Sequence, residues 1–122
     1  MGKGKRQRNM VNETPSQGDY GFISLDPTKG HEQAGRRPVI VVSCDAFNAA
    51  SGLAWVVPVT SKAKGRPKEI SFPDGHEISG VILLEHMRCI DPQAREFQCM
   101  GNVGQDFLDE EILGRLCAII TG

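Results

Sequence analysis

A chain of 122 residues with 39% hydrophobic and 24% charged residues has the size and make-up of one globular domain. That length can bury a core without a disulfide or metal staple. No apolar run approaches the roughly 20 residues that span a bilayer, and the charged start lacks the apolar stretch of a secretory leader, so the cytoplasm is the expected compartment.

The formal net charge of −1 gives no argument for or against nucleic acid, but the charges are unevenly spread. Lys3, Lys5, Arg6 and Arg8 all precede the first acid, Glu13. Lys62, Lys64, Arg66 and Lys68 form a second basic cluster, and Asp106, Asp109, Glu110 and Glu111 gather late. Residues 1–17 are polar and without periodicity, which predicts a disordered basic lead before a folded domain over 18–122. Strands are expected over 20–25 (weakened by Gly21), over the β-branched run 39–44, and over 53–59, where Pro58 requires an edge or a bulge. Between the last two, residues 45–50 suggest a helical turn capped by Asp45 and ended at Ser51-Gly52. Short strands follow over 69–72, 80–85, 87–90 and 97–100, with turns at Pro73-Asp74-Gly75 and Asp91-Pro92. Leu108, Ile112, Leu116 and Ile119/Ile120 recur at helical spacing after Gly104, with Asp106 as a possible cap. Several short strands, no βαβ alternation and a closing helix predict a small, curled antiparallel sheet packed with one helix.

The four cysteines, at 44, 89, 99 and 117, contain no Cys-x-x-Cys pair and have no His at zinc-ligand spacing. Their apolar neighbours predict reduced thiols in the core. Trp55 and Phe22 are likewise expected in core or dimer contacts. The richest polar stretch is the loop over 26–38, which joins His31, Glu32, Arg36 and Arg37 between two strands. Loops held by strands collect binding and catalytic groups. An imidazole, a carboxylate and two guanidiniums suit recognition or cleavage of a phosphate ester.

These residues resemble the MazF/PemK family of toxins. The likeness runs from Gly18-Asp19 through Leu25-Asp26-Pro27-Thr28-Lys29-Gly30-His31-Glu32-Gln33, then Arg37-Pro38, Ala46-Phe47-Asn48 and Val57-Pro58-Val59-Thr60-Ser61. Gly80-Val81, Arg88, Ile90-Asp91 and Leu113-Gly114-Arg115-Leu116 extend it. The resemblance implies an SH3-like antiparallel β-barrel with a C-terminal helix, working as a homodimer. It implies an endoribonuclease that cuts single-stranded RNA at short sequences without a metal or other cofactor. It implies a cognate antitoxin with an extended acidic tail, through which alone the toxin would meet DNA, and no membrane contact.

By family position, Arg37 and Thr60 form the catalytic pair. Arg37 offers planar donors for two phosphate oxygens, and Thr60 a hydroxyl to the same phosphate. Arg37 stays protonated, so it is better suited to stabilising charge, or to giving a proton to the leaving group, than to acting as a base. Proton exchange falls to His31, Glu32 or Glu85, with the choice left open. Glu85-His86 stands where the family commonly has Asp-Gln. Arg36, Ser61, Lys62, Lys64, Arg66, Lys68 and His86 are expected to line the RNA path. Arg66 and Lys68 replace aromatic residues common in the family, so a relative's cleavage motif does not transfer. Two other readings are a gyrase-poisoning toxin on the same fold and a non-catalytic RNA-binding module. The poison reading is weakened because the chain's one Trp, Trp55, is far from its end.

Overall fold

The computed structural model describes residues 14–25, 35–62, 65 and 69–122. Its strands are β1 (Asp19–Ser24), β2 (Arg36–Val41), β3 (Ala54–Thr60), β4 (Ile70–Ser71), β5 (Val81–Ile82), β6 (Arg88–Ile90) and β7 (Gln98–Asn102). They form one sheet in the order β4-β5-β3-β2-β1-β7, with β6 also paired to β3. Every pairing is antiparallel. Residues 15–17, expected in the lead, are tied to the domain. Asn48 donates to the Pro15 carbonyl, and Gln17 donates to Asp45 Oδ1 and the Val42 carbonyl.

Both faces of the sheet are covered, which explains the runs of consecutive apolar residues in β2 and β3. Ile23, Val39, Val41, Ala54, Val56 and Ile90 make one buried cluster. Tyr20, Ile40, Val57, Val59, Phe72, Ile82, Leu108, Ile112 and Leu116 belong to the other. The period of two sends alternate residues of one strand to different clusters.

Three features of the sequence show their reasons here. Gly21 lies at a register shift between β1 and β7, where a Cβ would sit 1.9 Å from the Gln98 carbonyl oxygen. It permits a close backbone approach at a bulge. Pro58 marks an interruption beside β3. Along β3, Val59 pairs with Ile82 and Thr60 with Val81, but Val56 pairs with Arg88. The neighbouring strand therefore carries three extra residues, accommodated as the 3₁₀ turn Leu84–His86. Pro58 has no N–H to offer there and only accepts, from Leu83 N at 3.0 Å. The strand expected over 80–85 accordingly stops at Ile82, and Glu85 lies on a turn.

Helix α1 (Asp45–Ser51) has Asp45 as its first residue rather than its cap, and no side chain caps it. Asn48, fully buried, organises the segment through Ser43 and Pro15. The closing helix runs continuously through Gln105–Phe107, Leu108–Leu113 and Gly114–Thr121, preceded by Gly104 rather than capped by Asp106. Its buried residues fall four apart, which drifts around a 3.6-residue helix. The Leu108–Leu113 segment is π-helical, and its wider turn offsets that drift. Leu108, Ile112 and Leu116 are buried, whereas Ile119 and Ile120 are 57% and 70% exposed. The cysteine expectation is corrected: Cys44, Cys89 and Cys117 are exposed and Cys99 is half-buried, all four as free thiols. Trp55, opposite the exposed Cys89 in the β3–β6 pairing, is also exposed, so of its two expected places, core or dimer contact, it does not take the core.

Candidate functional site

Arg37 and Thr60 occupy the ends of adjacent strands. The β2–β3 register pairs Val41 with Val56, Ile40 with Val57 and Val39 with Pro58. The pairing ends there, two residues short of Arg37 on β2 and of Thr60 on β3. Alternation sets Arg37 on the face of Val39 and Val41, and Thr60 on the face of Val56. The two therefore share one face, at the rim of one core cluster. Arg37 is exposed and Thr60 half-buried. Thr60 Oγ1 accepts from Lys62 N at 3.2 Å, which leaves its O–H to donate elsewhere.

Arg36 points away from this pair. It is held toward β7 by the Glu96 carbonyl at 3.3 Å and Gln98 Oε1 at 3.4 Å, with Glu96 Oε1 at 3.9 Å. Alternation explains the split, since consecutive strand residues face opposite ways. Arg36 is thus committed to the turn before β7 and does not join Arg37. Ser61 and Lys62 follow Thr60 directly and are exposed. Glu85 and His86 are exposed on the 3₁₀ turn beside Pro58. His31, Glu32, Lys64, Arg66 and Lys68, like the basic lead over 1–13, lie outside the described residues.

Arg95 drew no attention in the sequence, yet it holds the end of β1 and Leu25, the last described residues before the segment with His31 and Glu32. Its guanidinium donates to the carbonyls of Ser24 and Leu25, and Ser24 N donates back to the Arg95 carbonyl at 2.8 Å. Leu25 N also donates to the Gly35 carbonyl at 2.7 Å. The two ends of the loop are therefore fastened together at its base. A basic residue four positions after Asp91 is too common a pattern to mark such a clamp in the sequence.

A polar cluster around the buried Tyr20, with half-buried His76 and exposed Glu77, carried no signal in the sequence either. The Tyr20 hydroxyl donates to Glu77 Oε1 at 2.6 Å and lies 2.8 Å from His76 Nδ1. Burial, then the bond to Glu77, pushes the Tyr20 phenol up to about 12. The same bond holds the Glu77 carboxyl below its ordinary value. Among the described residues, no group of three or more His, Cys, Asp or Glu could hold a metal ion.

The sequence model for the PemK-like, MazF-like toxin of type II toxin–antitoxin systems matches residues 16–120. Endoribonuclease PemK of Escherichia coli is 40% identical over 108 residues, covering 85% of this chain and 80% of that protein. The endoribonuclease toxin MazF of Escherichia coli is 38% identical over 94 residues, covering 77% and 84%. In three dimensions, MazF of Deinococcus radiodurans superposes with a TM-score of 0.75 at 36% identity, covering 91% of this chain and all of that one. A MazE–MazF complex from the same organism gives 0.76 at 34% identity, covering 88% and 97%. The match spans the curled sheet, the Arg37–Thr60 rim and the closing helix, and the chain belongs to the PemK-like, MazF-like toxin family of type II toxin–antitoxin systems.

Proposed function

We propose that this chain is a sequence-specific endoribonuclease toxin that cuts single-stranded RNA without a metal. The observation that supports this most directly is the shared face of Arg37 and Thr60 at adjacent strand ends. In the reaction, the ribose 2′-oxygen attacks phosphorus and the bond to the 5′-oxygen breaks. The products are a 2′,3′-cyclic phosphate and a 5′-hydroxyl. The Arg37 guanidinium meets charge developing on the non-bridging oxygens, and Thr60 donates to one of them. The 2′-proton passes to His31, Glu32 or Glu85, and the leaving oxygen is protonated by Arg37 or by one of those groups in its acidic form. Ser61, Lys62, Lys64, Arg66, Lys68 and His86 neutralise or contact the flanking RNA.

The toxin acts in the cytoplasm as a homodimer that restrains growth until a cognate antitoxin covers the RNA path with an acidic segment. The exposed Ile119 and Ile120 at the end of the closing helix support a self-association surface. Solved relatives include MazE–MazF complexes, which supports an antitoxin partner. The decisive experiment incubates a mixed RNA pool with pure protein and maps every new end. Cyclic phosphates at a short recurring sequence, lost in a folded Arg37→Ala variant, are expected. An intact pool, or full cleavage by that variant, overturns the reading.

A further inference from the structure

The spacing between Arg37 and Thr60 is not set by the ladder that joins their strands. The β2–β3 pairing ends at Val39 and Pro58. Pro38, the next residue along β2, has no N–H to extend the ladder, and Pro58 turns its carbonyl to Leu83 on the other side of β3. Beyond that point each strand follows its other neighbour. The Arg37 end of β2 is held by β1, through Ile23–Arg37 and Ser24–Arg36. The Thr60 end of β3 is held by β5, through Val59–Ile82 and Thr60–Val81. A tight contact reinforces the second of these. Gly80, at φ +134°, approaches so closely that a Cβ would sit 2.3 Å from the Thr60 carbonyl oxygen.

β1 and β5 are separated in the sheet by β2 and β3. They are nevertheless linked through the connection between β4 and β5, because the sheet curls. Tyr20 of β1 is 2% exposed and reaches the segment that connects β4 to β5. Its hydroxyl donates to Glu77, so His76 Nδ1 donates to the hydroxyl oxygen. The Tyr20 ring packs edge-on against Phe72 at 5.1 Å and His76 at 5.0 Å. Phe72 N bonds the Gly80 carbonyl at 2.8 Å, which closes the base of that connection beside Thr60. Gly101 completes the arrangement, since a Cβ there would lie 2.6 Å from the Tyr20 hydroxyl.

We infer that the Tyr20 hydroxyl, bridging His76 and Glu77, is a latch that fixes the separation of Arg37 and Thr60, so that Tyr20, His76 and Glu77 are positioning residues for RNA cleavage. This rests on the cleavage reading above. None of the three is among the residues assigned to the RNA path. Their effect passes through β1 to Arg37 and through Gly80 to Thr60. A purely structural contact would change stability alone, whereas a latch changes the chemical step at constant fold.

The test compares Tyr20→Phe, Glu77→Ala and Glu77→Gln with wild type for kcat, KM and thermal midpoint. Tyr20→Phe keeps the ring stack and removes only the hydroxyl. Misplacement of catalytic groups by a fraction of an ångström to 1 Å predicts a fall in kcat of about 10- to 100-fold. KM is expected to change little, because the RNA-contacting surface is untouched. Glu77→Ala should match Tyr20→Phe, the double variant should be no slower than either, and Glu77→Gln, which keeps an acceptor, should restore most of the rate. Folded Tyr20→Phe and Glu77→Ala variants with wild-type kcat overturn the latch while leaving the nuclease reading intact. Should Tyr20→Phe fail to fold, the Glu77→Ala and Glu77→Gln pair decides alone. Wild-type protein that leaves RNA uncut overturns both.

Discussion

The chain contains one tyrosine, so its phenol can be titrated without ambiguity. Tyr20 is buried and bonded to the Glu77 carboxylate, and its proton is held to about pH 12. In the unfolded chain the ordinary value near 10 applies. Between those values the unfolded state has released the proton and the native state has kept it. Stability contributed by Tyr20 is therefore complete below pH 10 and is lost as pH rises towards 12. The full loss, at about 1.4 kcal/mol per pH unit over roughly two units, is on the order of 2–3 kcal/mol. Two assays read this. Ultraviolet absorbance of tyrosinate should show a native midpoint near 12 and a denatured midpoint near 10. Urea unfolding should lose stability in that window faster than it does in Tyr20→Phe, which serves as the background for every other titrating group. In Glu77→Ala the midpoint should fall only part of the way, because burial is the larger cause. A native midpoint equal to the denatured one would refute the buried, bonded hydroxyl and the geometry built on it.

Gly80→Ala should destabilise the domain and slow cleavage together. The φ of +134° alone costs about 1–3 kcal/mol for a non-glycine residue, and the new Cβ would press on the Thr60 carbonyl; thermal unfolding and kcat measure the two effects. Ile112→Ala removes a fully buried side chain of the closing helix and should cost about 2–5 kcal/mol in urea unfolding, with kcat unchanged in the remaining folded protein. RNA cleavage should continue at an unchanged rate in excess chelator, and loss of activity restored by added metal would point to different chemistry. Arg37→Lys should stay at least about 10-fold below wild-type kcat, because an ammonium keeps the charge but not the two-pronged donor geometry.

Much of the fold could be read locally. The β-branched runs marked β2 and β3, and the 108/112/116 spacing marked the closing helix, because side-chain periodicity reports directly which face is buried. Pro58 announced an interruption, since a missing donor is a property of the residue itself. The likeness to the toxin family came from motifs in order, and Arg37 and Thr60 were named from it. Other assignments depended on neighbours that no local pattern reveals. Arg36 and Arg37 are adjacent and chemically identical, yet one is bound to Glu96 and Gln98 and the other faces the Thr60 side. Cys44, Cys89 and Cys117 have apolar sequence neighbours but lie at the surface, because strand edges and helix flanks are set by packing. Tyr20 and His76 are separated by 56 positions, and each reads as an ordinary residue of its own segment. Only the curl of the sheet, which carries the β4–β5 connection over β1, makes them a pair. Sequence determined the elements and the chemistry available, because those follow from individual residues and their spacing. Tertiary structure decided which side chains meet, because that depends on distances between strands remote along the chain.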